Sequence, residues 1–149
     1  MPKDLEKFFY KVGLLIPGFK GYKTKEDLRE SDYKIRLFAQ SSLQIFIDKI
    51  EKLKRNLNDD NLIKIDFLQK ELKIASVKVI NQEFGYRSFF SGESTEETTK
   101  ILDQVMRHDE SLIDLIDDMN SHDEINVKSL EEFNEKLNSL LEKRGILLA

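Results

Sequence analysis

Apolar residues recur at helical spacing along most of the chain. In residues 4–15, Leu5, Phe8, Phe9, Val12 and Leu15 fall on one face and Lys3, Lys7 and Lys11 on another, which predicts a short amphipathic helix within 1–16. Pro17-Gly18 ends it, because proline cannot continue the backbone ladder. Thr24-Lys25-Glu26-Asp27 has the form of a capping box and opens a long helix over 24–57. In its second half Ala39, Leu43, Phe46, Ile50, Leu53 and Leu57 alternate steps of four and three residues, the seam of a coiled-coil-like bundle. Its first half, "KEDLRESDYKIR", is far more polar and is expected to be exposed or covered only by the N-terminal helix.

After a polar turn at "NLNDDN" (56–61), a helix is predicted over 61–83, with Ile65, Leu68, Leu72, Ala75 and Val79 as its stripe. Leu62, Phe67, Ile74, Val77 and Ile80 widen that stripe, as in the most buried helix of a bundle. Residues 73–80, "KIASVKVI", are β-branched enough for a strand, but no partner strand is visible, which favours helix. Ser94-Thr95-Glu96-Glu97 is a second capping box. A helix follows over 95–120 through Ile101, Val105, Leu112, Ile116 and Met119. "SHDEIN" interrupts, and a last helix over 127–144 uses Leu130, Phe133, Leu137 and Leu140, with Gly145 as its C-terminal cap. The pattern predicts one all-α domain over 1–149: an antiparallel bundle of four to five helices, one of them long, with a helical hairpin at its centre.

Composition narrows the chemistry. The 149 residues are 40% hydrophobic and 35% charged, which suits an elongated helical protein; two Pro and six Gly are too few for a many-stranded β fold. With no Cys, disulfides, thiolate catalysis and cysteine metal sites are excluded. No apolar run approaches the ~18 residues of a membrane span and the N-terminus lacks a signal-peptide pattern, so a cytoplasmic location is expected. The net charge of −4 divides into +5 over residues 1–57 and −9 over 58–149, so the two halves can attract each other or face different partners. No compact Lys/Arg cluster points to nucleic acid.

If 24–57 and 61–83 form a hairpin, the loops at 17–23 and 84–93 lie at one end. That would gather Phe19 and Tyr22 with Tyr86, Phe89 and Phe90, rimmed by Lys20, Lys23, Lys25 and Arg87. The unequal helix lengths then require a kink near Ser41-Ser42 or an overhang. Two readings of the rings stand open: a plug for the end of the bundle, or a patch that binds an acidic protein partner steered by Lys20, Lys23 and Arg87.

Two other places carry candidate chemistry. Phe8, Phe9 and the lysine row could rest on an anionic membrane surface, or pack into the bundle. Asp114, Asp118 and His122 share a helical face with Asp117 and Asp123 near them, and two carboxylates with an imidazole are possible ligands for a divalent metal; a merely solvated acidic face is the alternative. His108 sits at the border of the apolar stripe. Phosphate-loop, zinc-protease and di-iron patterns are absent, so no cofactor and no catalysis are expected. Self-association stays open.

"PGFKGYKTKEDLRESDYKIR" (17–36) and "FGYRSFFSG" (84–92) resemble the two loops of an uncharacterised prokaryotic helical protein family, whose first loop runs Pro-Gly-aromatic-x-Gly-Tyr and whose second runs Gly-Tyr-x-x-Phe-Phe. The resemblance implies no activity and no catalytic residues. It directs attention to the same two loops.

Overall fold

The periodic segments fold as helices in the computed structural model, which describes residues 3–16, 19, 21, 25–81, 95–122 and 124–149. These are α1 (Lys3–Leu15), α2 (Lys25–Leu53), α3 (Asp59–Asn81), α4 (Thr95–Ser121) and α5 (Val127–Leu148), with a single 3₁₀ turn at Lys54–Asn56 after α2. No strand occurs among the described residues, and 73–80 is helical. Thr24 and Ser94, the expected caps of α2 and α4, lie outside the described residues.

Long side chains fix the direction of each helix. Near the start of α2, Arg36 Nη1 donates to the carbonyls of Ile80 at 2.9 Å and Val79 at 3.4 Å, at the end of α3. Further along α2, Gln69 Nε2, at the middle of α3, donates to the Ile47 carbonyl at 3.2 Å. The two helices are therefore an antiparallel hairpin. Lys49 Nζ donates to the His122 carbonyl at 2.7 Å, which sets the end of α4 beside the end of α2. α5 returns antiparallel to α4: Asn134 Nδ2 reaches the Leu68 carbonyl at 3.3 Å near its start, and Arg144 pairs with Asp32 and Asp109 near its end. α2 packs beside α3 and α4, and α5 beside the same two, giving an up-down-up-down four-helix bundle with α1 added outside.

The core runs along the inside of this ring. Ala39, Leu43, Phe46 and Ile50 of the expected seam are buried, and Leu53 and Leu57 pack against its edge. Across the bundle Phe46 and Phe133 meet edge to face, with ring centroids 5.2 Å apart. Val12 of α1 and Ile16 just past its end join the same core.

Several expectations need correction. First, the polar half of α2 is not an exposed face: Leu28, Ser31, Asp32, Ile35 and Arg36 are buried, because their polar groups find partners inside. Second, α3 begins at Asp59, so the turn is short; Asn58 Oδ1 accepts from the Asn61 backbone at 3.1 Å, which caps the helix. Third, Gly145 does not end α5. It is buried within a helix that continues to Leu148, whose side chain is fully enclosed, and that burial outweighs the ~1 kcal/mol helix penalty of a glycine. Leu140, assigned to the core, is only half-buried. A further correction concerns α3 and is taken up below. The length mismatch of the hairpin is an overhang. α2 is continuous through Ser41-Ser42, and its first turns pass the end of α3, where Ser31 Oγ donates to the Gly21 carbonyl at 2.9 Å. Gly21 sits at φ 80°, a conformation that favours glycine.

Candidate functional site

The most ionic part of the interior is structural. Asp32 and Asp109 are fully buried, Arg144 is 3% exposed and Arg36 8%. Arg144 Nη1 donates to Asp32 Oδ1 at 2.5 Å and its Nε to Asp109 Oδ1; Arg36 Nε donates to Asp32 Oδ2 at 3.1 Å. Two acids and two guanidinium groups balance in charge, and every member has a partner, so the cluster joins α2, α4 and α5 and reaches the α3 carbonyls. A second polar knot closes the α2–α3 turn. Lys54 Nζ donates to Asp66 Oδ1 at 2.7 Å, Gln69 Oε1 at 2.8 Å and Glu51 Oε2 at 3.3 Å. The hydrogen bond to Asp66 raises the Lys54 pKa; Gln69 foremost lowers that of Glu51, and Lys54 foremost lowers that of Asp66.

The surface departs most from a simple bundle on α3. Phe67, Ile74 and Val77, expected to widen its buried stripe, are 62%, 51% and 56% exposed, and Ile63 is 70% exposed. Leu62 and Ile80 are half-buried. The buried stripe is instead Ile65, Leu68, Gln69, Leu72, Ala75, Ser76 and Val79. α3 thus has two apolar faces: one turned to the core, the other, Ile63-Phe67-Lys70-Ile74-Val77, turned outward at alternate steps of four and three residues. A helix in a four-helix ring has only two neighbours, so a stripe this wide cannot all be covered. Ile74 also lines a shallow groove towards α5 with Lys78, Leu141 and Glu142. The sequence carried the signal, since the outward row keeps its own heptad-like spacing.

Of the expected aromatic-basic end, Phe19 is half-buried and packs against the core. Lys20, Tyr22, Lys23, Tyr86, Arg87, Phe89 and Phe90 lie outside the described residues. α2 starts and α3 ends towards one end of the bundle, with the first turns of α2 running past the end of α3, which is held by Arg36.

Asp114, Asp118 and His122 are all exposed. Lys11 of α1 pairs with Asp114; His122 lies past the end of α4, its Nδ1 2.7 Å from the Asp118 carbonyl oxygen. No group of three acidic or histidine side chains among the described residues could hold a metal ion. Asp114 and Asp118 instead border an open groove of about 740 Å³ between α4 and α5, with Glu132, Glu135, Lys136 and Leu140. His108 is half-buried at the stripe border.

Fold and surface together define an all-α four-helix bundle with an appended N-terminal helix. No family model, curated protein or solved structure matches the chain.

Proposed function

We propose that this chain is a non-catalytic helical-bundle protein that binds another protein by packing it against the outward face of α3. The exposed row of Ile63, Phe67, Ile74 and Val77 carries the proposal. Four large apolar side chains lie on one face of the helix at i, i+4, i+11 and i+14, with Lys70 at i+7 between them, and a partner helix laid along that face would bury them. Cross-linking followed by mass spectrometry of the captured species, comparing wild type with Phe67→Glu, tests it. A specific partner lost from a Phe67→Glu variant of unchanged helicity supports the proposal; equal capture by both overturns it.

A second reading places a partner at the aromatic-basic end, with Phe19, Tyr22, Tyr86, Phe89 and Phe90 as anchors and Lys20, Lys23 and Arg87 steering. It is favoured by the antiparallel pairing of α2 with α3, which makes α2 start and α3 end towards the same end of the bundle. Phe89→Ser/Phe90→Ser would lose the partner without loss of thermal stability; early melting would instead mark the rings as a plug. Docking of α1 on a membrane surface has less support, because Val12 and Ile16 point into the core and Lys11 is paired with Asp114. Among the described residues no helix is long and apolar enough to cross a membrane; a cytoplasmic location is part of the proposal.

A further inference from the structure

The flanks of the outward α3 row carry charge in an order that discriminates between ways of pairing two helices. Taking Ile63, Phe67, Lys70, Ile74 and Val77 as the seam, Asp66 and Lys73 lie along one flank and Lys64, Glu71 and Lys78 along the other. Across a two-stranded seam, flanking charges meet and set orientation and register. In a parallel pair opposite flanks meet, which sets Asp66 against Glu71 and Lys73 against Lys78 of the other helix. Both contacts repel. In an antiparallel pair like flanks meet. With the two-fold axis at Leu72, Glu71 would face Glu71 and Lys73 would face Lys73, which repels again. With the axis between Leu68 and Gln69, the two flank contacts that form both attract: Lys64 faces Glu71 and Asp66 faces Lys73, each twice by symmetry, while Lys78 falls beyond the start of the second α3. In that register Ile63 meets Ile74 of the second copy. Phe67 meets Lys70, whose stem covers the ring while its ammonium reaches water.

We propose that the occupant of the outward face of α3 is a second copy of this chain, paired antiparallel about the Leu68–Gln69 level. This rests on the reading of that face as a protein-binding surface and names its partner. Charge complementarity chooses the second copy: one helix supplies both members of each attractive pair, so an isologous two-fold interface satisfies all of them at once. Asp66 already holds Lys54 and Lys70 of its own chain, so Lys64–Glu71 is the more discriminating pair.

The chain contains no Cys, so engineered thiols report on geometry without background. Full-length Ile63→Cys/Ile74→Cys is expected to form a covalent dimer under mild oxidation, and Ile63→Cys alone is not. Cross-linking by Ile63→Cys alone would indicate a parallel pair and overturn the proposal. In sedimentation equilibrium, Lys64→Glu turns two attractive contacts repulsive and weakens the dimer about tenfold. Lys64→Glu/Glu71→Lys restores it. A swap that fails to restore the dimer overturns the register. A wild type that stays monomeric up to several hundred micromolar overturns the second copy as occupant; the broader reading then stands or falls separately, on whether a different captured protein depends on Phe67. A wild-type dimer unaffected by Phe67→Glu places self-association elsewhere and likewise overturns the second copy as occupant of α3.

Discussion

Arg144 Nη1, near the end of α5, donates to Asp32 Oδ1, near the start of α2, at 2.5 Å and across the diagonal of the bundle. The two residues are 112 positions apart, and both are almost wholly removed from water. The same guanidinium holds Asp109 of α4, so a single side chain ties three helices. Removing it would take the shared guanidinium away from two buried carboxylates and leave Asp32 with Arg36. Arg144→Met is expected to destabilise the fold by about 3–5 kcal/mol, read as a lower urea midpoint. A loss below about 1 kcal/mol would mean that the cluster is not coupled to folding.

The two faces of α3 and the core of α5 predict opposite mutational responses. Phe133→Ala removes a ring that is 2% exposed and packed on Phe46, and is expected to cost about 3–5 kcal/mol. Val77→Ser, on the outward face, is expected to stay within about 0.5 kcal/mol of wild type. The comparison is made by thermal unfolding at a concentration low enough to keep the chain monomeric, where equal losses would show that the outward face packs within the single chain.

The knot at the α2–α3 turn gives a pH dependence. Glu51 and Asp66 titrate below their ordinary carboxylate values in the folded chain, so their contribution is full above those values. It is lost as pH falls through the ordinary range into the lowered one. Lys54 is shifted the other way, so its contribution is full below its ordinary value and fades only at strongly alkaline pH. Stability is therefore expected to decline below about pH 5. Lys54→Met should flatten that decline, because Lys54 is the largest cause of the Asp66 shift. An unchanged acid limb in urea titrations would remove the knot from the account.

Asn126 caps α5 reciprocally: its Oδ1 accepts from the Ser129 backbone at 2.8 Å, and Ser129 Oγ accepts from the Asn126 backbone at 3.1 Å. Asn126→Ala is expected to cost about 1 kcal/mol in chemical unfolding. Asn126→Asp, which keeps the acceptor, should recover most of it.

Gly13 lies within α1 with nothing inside 4 Å of the place a Cβ would occupy. Gly13→Ala is expected to strengthen α1 by about 0.5–1 kcal/mol, seen as slower amide exchange over Lys3–Leu15.

The spacing of apolar residues by itself determined the helices and their order. Leu43, Phe46 and Ile50, then Leu130, Phe133 and Leu137, keep a helical period that only one secondary structure can bury on one side. The antiparallel pairing of α2 with α3 was legible too, from two periodic segments joined by a short polar turn. What the spacing could not decide was which of two apolar faces on one helix meets the core. For α3 both faces are periodic, and the choice falls to the position of α2 and α5 around it. Nor could polarity alone reveal Asp32 and Arg36 as interior residues. A charge is tolerated in a core only when an opposite charge is waiting there, and Arg144 stands 112 residues away in sequence. The end of α5 went the same way: local propensity places a stop at Gly145, whereas burial of Leu148 against the rest of the bundle carries the helix past it. Local periodicity is written in neighbouring residues; the partners that make a charge or a second apolar face stable are supplied only when distant helices come together.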